Sequence, residues 1–520
     1  MSETKKVCVI GAGLSGLTAI KELRELNHEV TCFEKGSSIG GVFAAMKAYD
    51  SVLLTVSNYF MAYSDFMPTE ERVRYWTKDE YHNYLLRYVE HFGLMSSIQL
   101  DSTVTGLQRE GDKWLVTVMQ GGEQVTHEFD AVAMCSGQFQ KVRIPEIEGL
   151  DQFKGERMHS HDYKNAEPFA GKRVLCIGLG ESSADITTEI SEVAAKTTLS
   201  LRRLPLVAQR YFAVIDNDSY NTLYPLDAFT TIRSYNYLPR DIHTKFTQLQ
   251  FKRFINSYDP GTSLRGTWNK AAGAECSQVI MKNERVFDSI VDGRVDVNSA
   301  GIERLTEDEV VFRDGTREKI DAIMFCTGFS FDVPLLDLNV EDPRDLYKNM
   351  FHPKLGDSIA LIGFVRPQQG GVPALAELQS RYFALVCSGE RTLPAPEEME
   401  QGIAQDKQRW LDEYSLTPQV SGLVNFVHFA EDIARCVGCE LQVDRKKDKA
   451  LYEKCLRGPL WAIQYRLRGP GARPELARKI LLEKAPVAFK PPLVAAVIID
   501  CLVWLRKLLP VGPDQKPRFI

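Results

Sequence analysis

The sequence carries no large excess of charge of either sign: 63 basic and 69 acidic side chains leave a net charge of -6 over 520 residues. Nucleic acid is therefore not expected as a partner, because no general electrostatic attraction for it exists. Hydrophobic residues make up 44% and charged residues 25%, which excludes collagen-like, disordered and coiled-coil chains. The 11 cysteines are odd in number and scattered, so reduced thiols in a cytosol-facing compartment fit better than a secreted disulfide framework.

The sequence also lacks an apolar run of the roughly 20 residues that a membrane-spanning helix needs. The late apolar run at residues 493–505 is interrupted by Asp500 and is followed by Arg506. It predicts either an interfacial anchor, with Trp504 at the membrane surface, or a helix buried in the protein or in an oligomer contact. Residues 1–6 are polar and show no secretory signal. We expect a cytoplasmic protein, or one held at the cytosolic face of a membrane by this run, in an oligomeric state left open.

The first forty residues predict a βαβ unit that binds a dinucleotide. An apolar strand at residues 7–10 leads into residues 11–16, the first glycine turn, which has the pattern GxGxxG. A helix and a second strand follow, and that strand ends at Glu34, at the distance expected for a carboxylate that binds a ribose hydroxyl. An ordinary glycine-rich turn is the alternative. The expected contacts of the dinucleotide are Gly11, Gly13, Ser15, Gly16 and Glu34.

A second unit repeats this pattern with a different ending. A strand at residues 173–177 leads into residues 178–183, the second glycine turn, in which Ser183 replaces the third glycine. The next strand is followed by Arg202 and Arg203 rather than by a carboxylate. Guanidinium groups suit a 2′-phosphate and so predict NADPH, whereas a solvated basic turn is the alternative. The expected contacts are Gly178, Gly180, Glu181, Ser182, Ser183, Arg202, Arg203 and Arg210.

Two such units in one chain imply FAD in the first and NADPH in the second, with the flavin accepting hydride from the nicotinamide. We therefore predict an α/β fold with two Rossmann-like dinucleotide-binding domains, a helical insertion and a mainly helical C-terminal extension. Residues 1–160 are expected to form the first part of the FAD-binding domain and residues 329–400 its completing part. The NADPH-binding domain takes residues 161–328, with the insertion at 204–290, and residues 401–520 form the helical extension with its apolar tail.

Residues 153–163 read FKGERMHSHDY, and through Phe153, Gly155, His159 and Tyr163 they match the motif FxGxxxHxxxY. On this motif the chain resembles the flavin-containing monooxygenases, class B flavoprotein monooxygenases. Tyr163, where Baeyer–Villiger enzymes have Trp, favours the animal-type branch that oxygenates nitrogen and sulfur. The resemblance extends to residues 63–66 and implies cofactor or interdomain roles for Gly40, Gly41, Val42, Phe43, Thr327, Gly328 and Gln379.

The resemblance implies a mechanism in which NADPH reduces FAD and O2 then forms a C4a-hydroperoxyflavin. That species oxygenates a soft nucleophile, so the expected substrate is a small amine, thioether or similar molecule. The alternatives are Baeyer–Villiger oxygenation of ketones or aldehydes, and an uncoupled NADPH oxidase that yields H2O2. A flavin-binding scaffold or sensor is the non-enzyme alternative, and a disulfide reductase using Cys436 and Cys439 is a further one.

One position departs from the family. Its functional Asn, which contacts flavin and NADP+, falls at Thr55, and Asn58 stands three residues further on. A threonine hydroxyl is shorter than an amide and has fewer donors. Thr55, or Asn58 in its place, is therefore the expected catalytic position, and the change is expected to alter either the lifetime of the oxygenating species or its substrates. His159 and His161 lack a third ligand, so no metal is expected.

Overall fold

The computed structural model describes residues 4–44, 48–70, 72–216, 219–237, 264–272, 280–333, 335–336, 340–414 and 420–485. Two five-stranded parallel sheets form the centre of this part of the chain. The first sheet has the order Ile359–Leu361, Ala131–Met134, Lys6–Ile10, Glu29–Phe33 and Ile98–Gln99. The second sheet has the order Glu156–His159, Ala322–Phe325, Arg173–Ile177, Lys196–Ser200 and Val295–Asn298. This arrangement confirms the predicted α/β fold class.

Both sheets are covered in the same way, by helices on one face and by an antiparallel meander on the other. Side chains of the central strand Lys6–Ile10 alternate between the two faces. Val7 and Val9 pack against the helix side, whereas Cys8 and Ile10 pack against the meander, where Trp114 is buried. A strand buried on both faces reads as a continuous apolar run, which is why the sequence displays it clearly.

The helices that cover the first sheet include Leu14–Glu25 and Val372–Cys387, which are far apart in the sequence but share one hydrophobic core. Among the described residues, the α-helices are Leu14–Glu25, Asn58–Met61, Lys78–His91, Glu181–Val193, Asp227–Thr230, Arg233–Asn236, Leu264–Ala272, Arg285–Val291, Val372–Cys387, Pro396–Glu413, Phe426–Val437, Lys449–Arg457 and Pro474–Lys484. Short 3-10 helices lie at Gly41–Phe43, Leu94–Ser97, Glu167–Phe169, Pro343–Asp345 and Ala462–Arg466.

Each meander contains three antiparallel strands. They are Ser102–Glu110, Lys113–Gln120 and Glu123–Phe129 on the first sheet, and Ile302–Leu305, Glu309–Phe312 and Arg317–Lys319 on the second. The remaining strands form pairs: Leu53–Ser57 with Tyr75–Thr77, Lys141–Val142 with Phe329–Ser330, Leu206–Val207 with Ile280–Met281, Tyr211–Asp216 with Ser219–Pro225, and Arg366–Pro367 with Leu423–Val424.

Residues 204–290 are not purely helical, since the described part includes the antiparallel pair Tyr211–Asp216 and Ser219–Pro225 beside three helices. The segment is tied to the C-terminal helices by Arg233, which is completely buried. Its guanidinium group pairs with Glu431 at 2.6 Å and donates to the Cys455 carbonyl oxygen at 3.0 Å. The predicted apolar tail at residues 493–505 lies outside the described residues. Within the described ranges, no helix is long and apolar enough to cross a membrane.

Candidate functional site

The first glycine turn joins the strand Lys6–Ile10 to the helix Leu14–Glu25 at the carboxyl end of the first sheet. Gly11 has a φ of +99°, and a Cβ placed there would lie 2.9 Å from the Cys135 carbonyl oxygen. A Cβ on Gly16 would lie 1.8 Å from the Gly11 carbonyl oxygen, so a side chain at either position would clash with backbone. Gly11 and Gly16 therefore have no room for a side chain, because the helix and the strand approach each other closely at this turn.

A second segment closes over this turn. Gly40 has a φ of +111° and donates its backbone N–H to the Ala12 carbonyl oxygen at 2.9 Å. A Cβ on Gly41 would stand 3.1 Å from the Gly13 Cα. Gly13 and Gly41 therefore face each other across a narrow gap between the two segments, which we call the glycine-lined cradle. Val42 remains 49% exposed, and the Phe43 ring packs edge-on against Tyr81. Two backbones without side chains leave room for a pyrophosphate between them.

Glu34 is fixed at the end of the strand Glu29–Phe33 by two backbone donors. Its Oε2 accepts the Ala12 N–H at 2.7 Å and its Oε1 accepts the Gly36 N–H at 2.7 Å. The carboxylate is buried beside the first glycine turn, where a ribose hydroxyl of a bound dinucleotide would reach it. The residues present therefore fit an adenine dinucleotide such as FAD.

Ser15 and Gln379 meet at Gly363, behind the same turn. A Cβ on Gly363 would lie 1.9 Å from the Ser15 Oγ, and the Gly363 N–H donates to the Gln379 Oε1 at 2.9 Å. The Gln379 Nε2 donates to the Lys348 carbonyl oxygen at 3.3 Å. The fully buried amide of Gln379 thus holds the loop that follows the strand Ile359–Leu361 against the first glycine turn.

The second glycine turn reproduces the first in the second sheet. Gly178 has a φ of +93°, and its Cβ would lie 2.8 Å from the Cys326 carbonyl oxygen, the counterpart of Cys135. Ser183 takes the place of the third glycine and donates its hydroxyl to the Gly178 carbonyl oxygen at 2.6 Å. A Cβ on Gly180 would meet nothing within 4 Å, so the middle of this turn faces open space. A second dinucleotide fits there.

The side chains around the second turn divide into two groups. Arg202 and Arg203 are exposed just beyond the strand Lys196–Ser200, as a 2′-phosphate site requires. Ser182 is also exposed. Glu181, in contrast, is engaged with the protein. Its Oε1 accepts the Lys282 backbone N–H at 2.6 Å, and its Oε2 is buried without a hydrogen-bond partner in the described part of the chain. Burial raises the pKa of Glu181, although Lys282 and Arg210 act in the opposite direction.

Thr55 and Asn58 differ sharply in what they contact. Thr55 is half-buried in the strand Leu53–Ser57, and its hydroxyl makes no hydrogen bond to any described residue. Asn58 is completely buried, and its amide is used within the protein. Its Nδ2 donates to Glu70 at 3.2 Å and to the Arg72 carbonyl oxygen at 3.1 Å, while its Oδ1 accepts two backbone N–H groups. Of these two positions, Thr55 alone has a polar group free for a ligand.

The insertion reaches the strand that carries Thr55. Asp227 is buried and accepts hydrogen bonds from the Ser57 N–H at 2.6 Å and from the Ser57 hydroxyl at 2.9 Å. On the neighbouring strand, Tyr75 pairs with Ser57 and donates its hydroxyl to the Arg210 carbonyl oxygen at 2.8 Å. The Arg210 guanidinium group lies 5.9 Å from the centre of the Tyr75 ring. Arg210 is therefore placed beside the strand of Thr55 as well as near the second glycine turn.

The motif residues 153–163 form the connection between the two sheets. Gly155 is required for space, because its Cβ would lie 2.3 Å from the buried ring of Phe153. His159 ends a strand of the second sheet, and burial lowers its pKa. Tyr163 donates its hydroxyl to Glu189 on the helix Glu181–Val193 at 2.7 Å. These contacts attach the motif to the second sheet and to the helix that follows the second glycine turn.

The chain crosses from the first sheet to the second and later returns to the first. The two crossing segments lie side by side and antiparallel. The strand Lys141–Val142 pairs with Phe329–Ser330, and the Arg143 N–H donates to the Gly328 carbonyl oxygen at 3.0 Å. The Thr327 hydroxyl donates to the Arg143 carbonyl oxygen. Both crossings between the sheets therefore form one two-stranded ribbon, which includes Thr327 and Gly328.

A buried ion cluster that the sequence did not reveal lies against the helix Leu14–Glu25, which follows the first glycine turn. Arg466, from the C-terminal extension, lies 2.6 Å from Glu22, 2.7 Å from Glu377 and 3.4 Å from Asp65. Burial raises the pKa of Glu22, but the charges of Arg466, Lys21 and Arg381 together outweigh this effect and bring that pKa down to about 2. Glu377 lies two residues before Gln379, so the cluster joins the C-terminal extension to the helix that carries Gln379.

Cys436 and Cys439 are free thiols in this structure. Burial raises the pKa of Cys436, and it raises that of Cys439 to about 11. Catalytic thiols require a lowered pKa, so this environment favours a structural pair. Across the residues that the structure describes, no group of three or more His, Cys, Asp or Glu side chains is arranged to hold a metal ion.

Two glycine turns of this geometry, each at the carboxyl end of a five-stranded parallel sheet, define a protein with two Rossmann-like dinucleotide-binding domains. The chain belongs to the flavin-binding monooxygenase-like family, which it matches over residues 4–500. It is therefore a flavoprotein monooxygenase, an enzyme that uses O2 and acts on a small organic substrate.

Its relatives refine this assignment. The chain is 48% identical to a 4-hydroxybenzoate brominase (decarboxylating) from Pseudoalteromonas luteoviolacea, over 94% of this chain and 95% of the relative. A 4-hydroxybenzoate brominase (decarboxylating) from Marinomonas mediterranea is 46% identical over 97% of each chain. Flavin-containing monooxygenase 5 from Oryctolagus cuniculus is 32% identical over 92% of this chain and 91% of its own. The bacterial brominases are thus more similar to this chain than that animal enzyme is.

Solved structures support the fold. The S-allyl-L-cysteine S-oxygenase from Allium sativum superimposes with a TM-score of 0.60 at 24% sequence identity, and the match covers 84% of this chain and 89% of that one.

Proposed function

We propose that this enzyme is a flavin-dependent brominase that uses NADPH and O2 to oxidise bromide and brominates a 4-hydroxybenzoate-type phenolic acid with loss of CO2. The observation that carries the proposal is the 48% identity to a decarboxylating 4-hydroxybenzoate brominase over 94% of the chain. The expected oxygenation of an amine or thioether rests on the more distant animal relatives, such as the one at 32% identity.

The reaction balances without any further reagent. NADPH, O2, bromide and two protons give NADP+, water and hypobromous acid, in which bromine is oxidised and O2 is reduced. The bromine then bonds to the ring carbon that carries the carboxylate, and hydroxide leaves. The bond between that carbon and the carboxylate breaks, CO2 departs, and the electron pair of the broken bond restores the ring.

FAD at the first glycine turn and NADPH at the second are the cofactors we assign. The glycine-lined cradle and Glu34 support FAD, and the exposed pair Arg202 and Arg203 supports the 2′-phosphate of NADPH. When bound, the flavin supplies the activation of O2. The paired strands Lys141–Val142 and Phe329–Ser330 connect the two domains that would hold these dinucleotides.

Thr55 supports a change of chemistry relative to the amide-bearing members of the family. The Thr55 hydroxyl makes no hydrogen bond to any described residue, whereas the Asn58 amide is already used in hydrogen bonds within the protein. We assign Thr55 to the contact with the cofactors at the place where oxygen is activated. A single hydroxyl offers fewer hydrogen bonds than an amide and leaves more room for a small anion.

Product analysis tests the proposed function. The FAD-loaded enzyme is supplied with NADPH, O2, sodium bromide and 4-hydroxybenzoate, and in parallel with a panel of amines, thioethers and ketones, while peroxide is measured. We expect bromide-dependent formation of a brominated phenol. Oxygenated amines or thioethers without any brominated product would instead support the N- and S-oxygenase function, and peroxide alone would support the uncoupled oxidase.

A further inference from the structure

The strand that carries Thr55 is irregular at Thr55 itself. Leu53 pairs with Thr77 on the neighbouring strand. The next pair joins Ser57 to Tyr75, so three residues stand opposite one and the register shifts between the two pairs. Such a bulge leaves its extra residues outside the ladder and changes the direction of their side chains. The place of Thr55 is therefore set by how the two ends of the bulge are held.

The two ends of this bulge are held by different parts of the chain. Beside the first end, the Lys78 N–H donates to the Val52 carbonyl oxygen at 3.1 Å. At the second end, Asp227 reaches in from the insertion. Its Oδ2 accepts the Ser57 N–H at 2.6 Å and its Oδ1 accepts the Ser57 hydroxyl at 2.9 Å. One carboxylate thus fixes both the backbone and the side chain of Ser57.

Tyr75, the strand partner of Ser57, is tied to the same part of the insertion. Its hydroxyl donates to the Arg210 carbonyl oxygen at 2.8 Å, and that oxygen also accepts the Leu226 N–H at 2.8 Å. Leu226 directly precedes Asp227, so the contacts run in a closed ring from Ser57 through the insertion to Tyr75 and back. Four of these five residues are buried, all but Arg210. A buried network in which the hydrogen bonds are made is rigid.

The Asp227 carboxylate is occupied within this ring and is not available for chemistry of its own. It is buried, and both of its oxygens contact Ser57. Burial raises the pKa of Asp227, while Lys282 and the hydrogen bonds from Ser57 act in the opposite direction. A buried carboxyl group is costly unless its hydrogen bonds are made. Here they are made to the one residue that ends the bulge, so Asp227 acts on the position of the bulge.

We propose that Asp227 is a positioning residue, which holds Ser57 and thereby places the Thr55 hydroxyl against the cofactors. The proposal rests on the function proposed above, since it extends the assignment of Thr55 to the place where oxygen is activated. It gives the insertion a part in the reaction, because a contact from the insertion determines how well NADPH oxidation is coupled to product.

A set of variants of the FAD-loaded full-length enzyme tests this role. Asp227→Ala removes both acceptors of Ser57. Asp227→Asn keeps an oxygen for the Ser57 N–H and an amide that donates to the Ser57 hydroxyl oxygen. Thr55→Ala removes the hydroxyl that is to be placed, and the double variant Asp227→Ala/Thr55→Ala combines the two losses. Flavin content shows that each variant is folded.

Asp321→Ala is the matched control. Asp321 likewise accepts a backbone N–H, at 2.8 Å, and a side-chain N–H, at 2.6 Å, from a single residue, Arg173. Arg173 begins the strand Arg173–Ile177, and the second glycine turn follows the other end of that strand. The control therefore loses a similar pair of hydrogen bonds at a place remote from both glycine turns.

Two measurements are made on every variant. In stopped flow, the flavin is reduced with NADPH without air and is then mixed with O2, and the rate at which the oxidised flavin spectrum returns is recorded. Hydrogen exchange of residues 53–57, with NADP+ bound, reports the rigidity of the bulge without any turnover. Neither measurement requires bromide or a substrate.

We expect Asp227→Ala and Thr55→Ala each to speed the return of the oxidised flavin by about fivefold to tenfold, as for the loss of one hydrogen bond. The double variant should be no faster than the faster single variant, because both changes act through one hydroxyl. Exchange at residues 53–57 should be faster in Asp227→Ala. Asp227→Asn should stay within about twofold of the wild type, since its amide keeps both hydrogen bonds, and Asp321→Ala should change neither measurement.

Three results overturn the proposal. The first is a double variant in which the two single effects multiply, because Asp227 would then act independently of Thr55. The second is an effect of Asp227→Asn as large as that of Asp227→Ala. The third is faster exchange at residues 53–57 with an unchanged flavin rate, which would make Asp227 a residue of stability alone.

Ser57→Ala decides the question if Asp227→Ala does not retain FAD. It removes the hydroxyl contact with Asp227 and keeps the backbone contact. A smaller increase of the flavin rate is expected, and it should be absent when Thr55 is already Ala. No increase in the enzyme that retains Thr55 overturns the proposal.

Bromination is measured separately, so the two proposals fail independently. If the variants behave as expected but the wild type makes no brominated phenol, Asp227 stands as a positioning residue and the brominase function falls. If the wild type brominates 4-hydroxybenzoate and the flavin rate of Asp227→Ala equals that of the wild type, the function stands and the role of Asp227 falls.

Discussion

At the scale of single residues, we propose that Thr55 stands where the family carries its functional amide. Its free hydroxyl predicts a direct role in coupling NADPH oxidation to product. Thr55→Ala should lower product per NADPH severalfold and raise peroxide by a matching amount, because one hydrogen bond to the cofactors is lost. Thr55→Ser keeps the hydroxyl and should stay near the wild type. Unchanged coupling in Thr55→Ala would remove Thr55 from the site.

Asn58 is predicted to act on stability rather than on chemistry. Asn58→Ala leaves the Arg72 carbonyl oxygen and two backbone N–H groups without their buried partner. The free energy of unfolding should fall by about 3 kcal/mol or more, since three buried groups lose their partner and each costs about 1 kcal/mol or more. Urea unfolding of the FAD-loaded protein measures this. A variant of normal stability that uncouples NADPH from product would instead place Asn58 in the active site.

Arg202 and Arg203 are predicted to select NADPH over NADH. Replacing both with Ala should raise the KM for NADPH by about tenfold or more, the value expected on loss of charge-assisted hydrogen bonds to a phosphate. The KM for NADH, which lacks that phosphate, should change little. Steady-state kinetics with both cofactors checks this, with Lys196→Ala as a nearby control. Equal effects on the two cofactors would contradict the assignment.

Among elements, the insertion and the C-terminal helices meet at His428. Its Nδ1 lies 3.0 Å from Glu413 and its Nε2 lies 2.9 Å from the Asn236 carbonyl oxygen. Burial lowers the pKa of His428, but the Glu413 carboxylate and the Asn236 carbonyl raise it by more, so that the net pKa is above the usual value. The folded chain therefore favours the protonated ring.

This contact predicts a stability that depends on pH. A raised pKa stabilises the fold fully below the unfolded pKa of about 6.5, and the contribution is lost as pH rises through the higher folded pKa. In urea unfolding, the wild type should lose stability above about pH 6.5 relative to His428→Gln, whose curve should be flatter. Parallel curves for the two proteins would show that His428 does not titrate with folding.

The elements also show which parts of the fold the sequence could predict. Central strands such as Lys6–Ile10 are continuous apolar runs, and the glycine turns have fixed spacing, so both were predictable. The meander strand Ser102–Glu110 was missed. Its register shifts between Val104 and Gly106, and such a bulge breaks the alternation of polar and apolar side chains by which a strand is recognised. The same shift occurs after Ile302 in the second meander.

For the whole molecule, the limit of sequence reasoning is set by contacts between distant segments. Arg466 neutralises Glu22, which is 444 residues away, and no local spacing signals that pair. The two glycine turns, in contrast, are local patterns, and the sequence predicted both of them directly after their strands.

The central claim is that a carboxylate is lost as bromine is gained. It is tested most directly by CO2 release from carboxyl-labelled 4-hydroxybenzoate, with NADPH and O2 present and with or without bromide. The account predicts labelled CO2 in proportion to brominated phenol, both dependent on bromide. NADPH consumption with peroxide as its product and no labelled CO2, at saturating bromide, would contradict it.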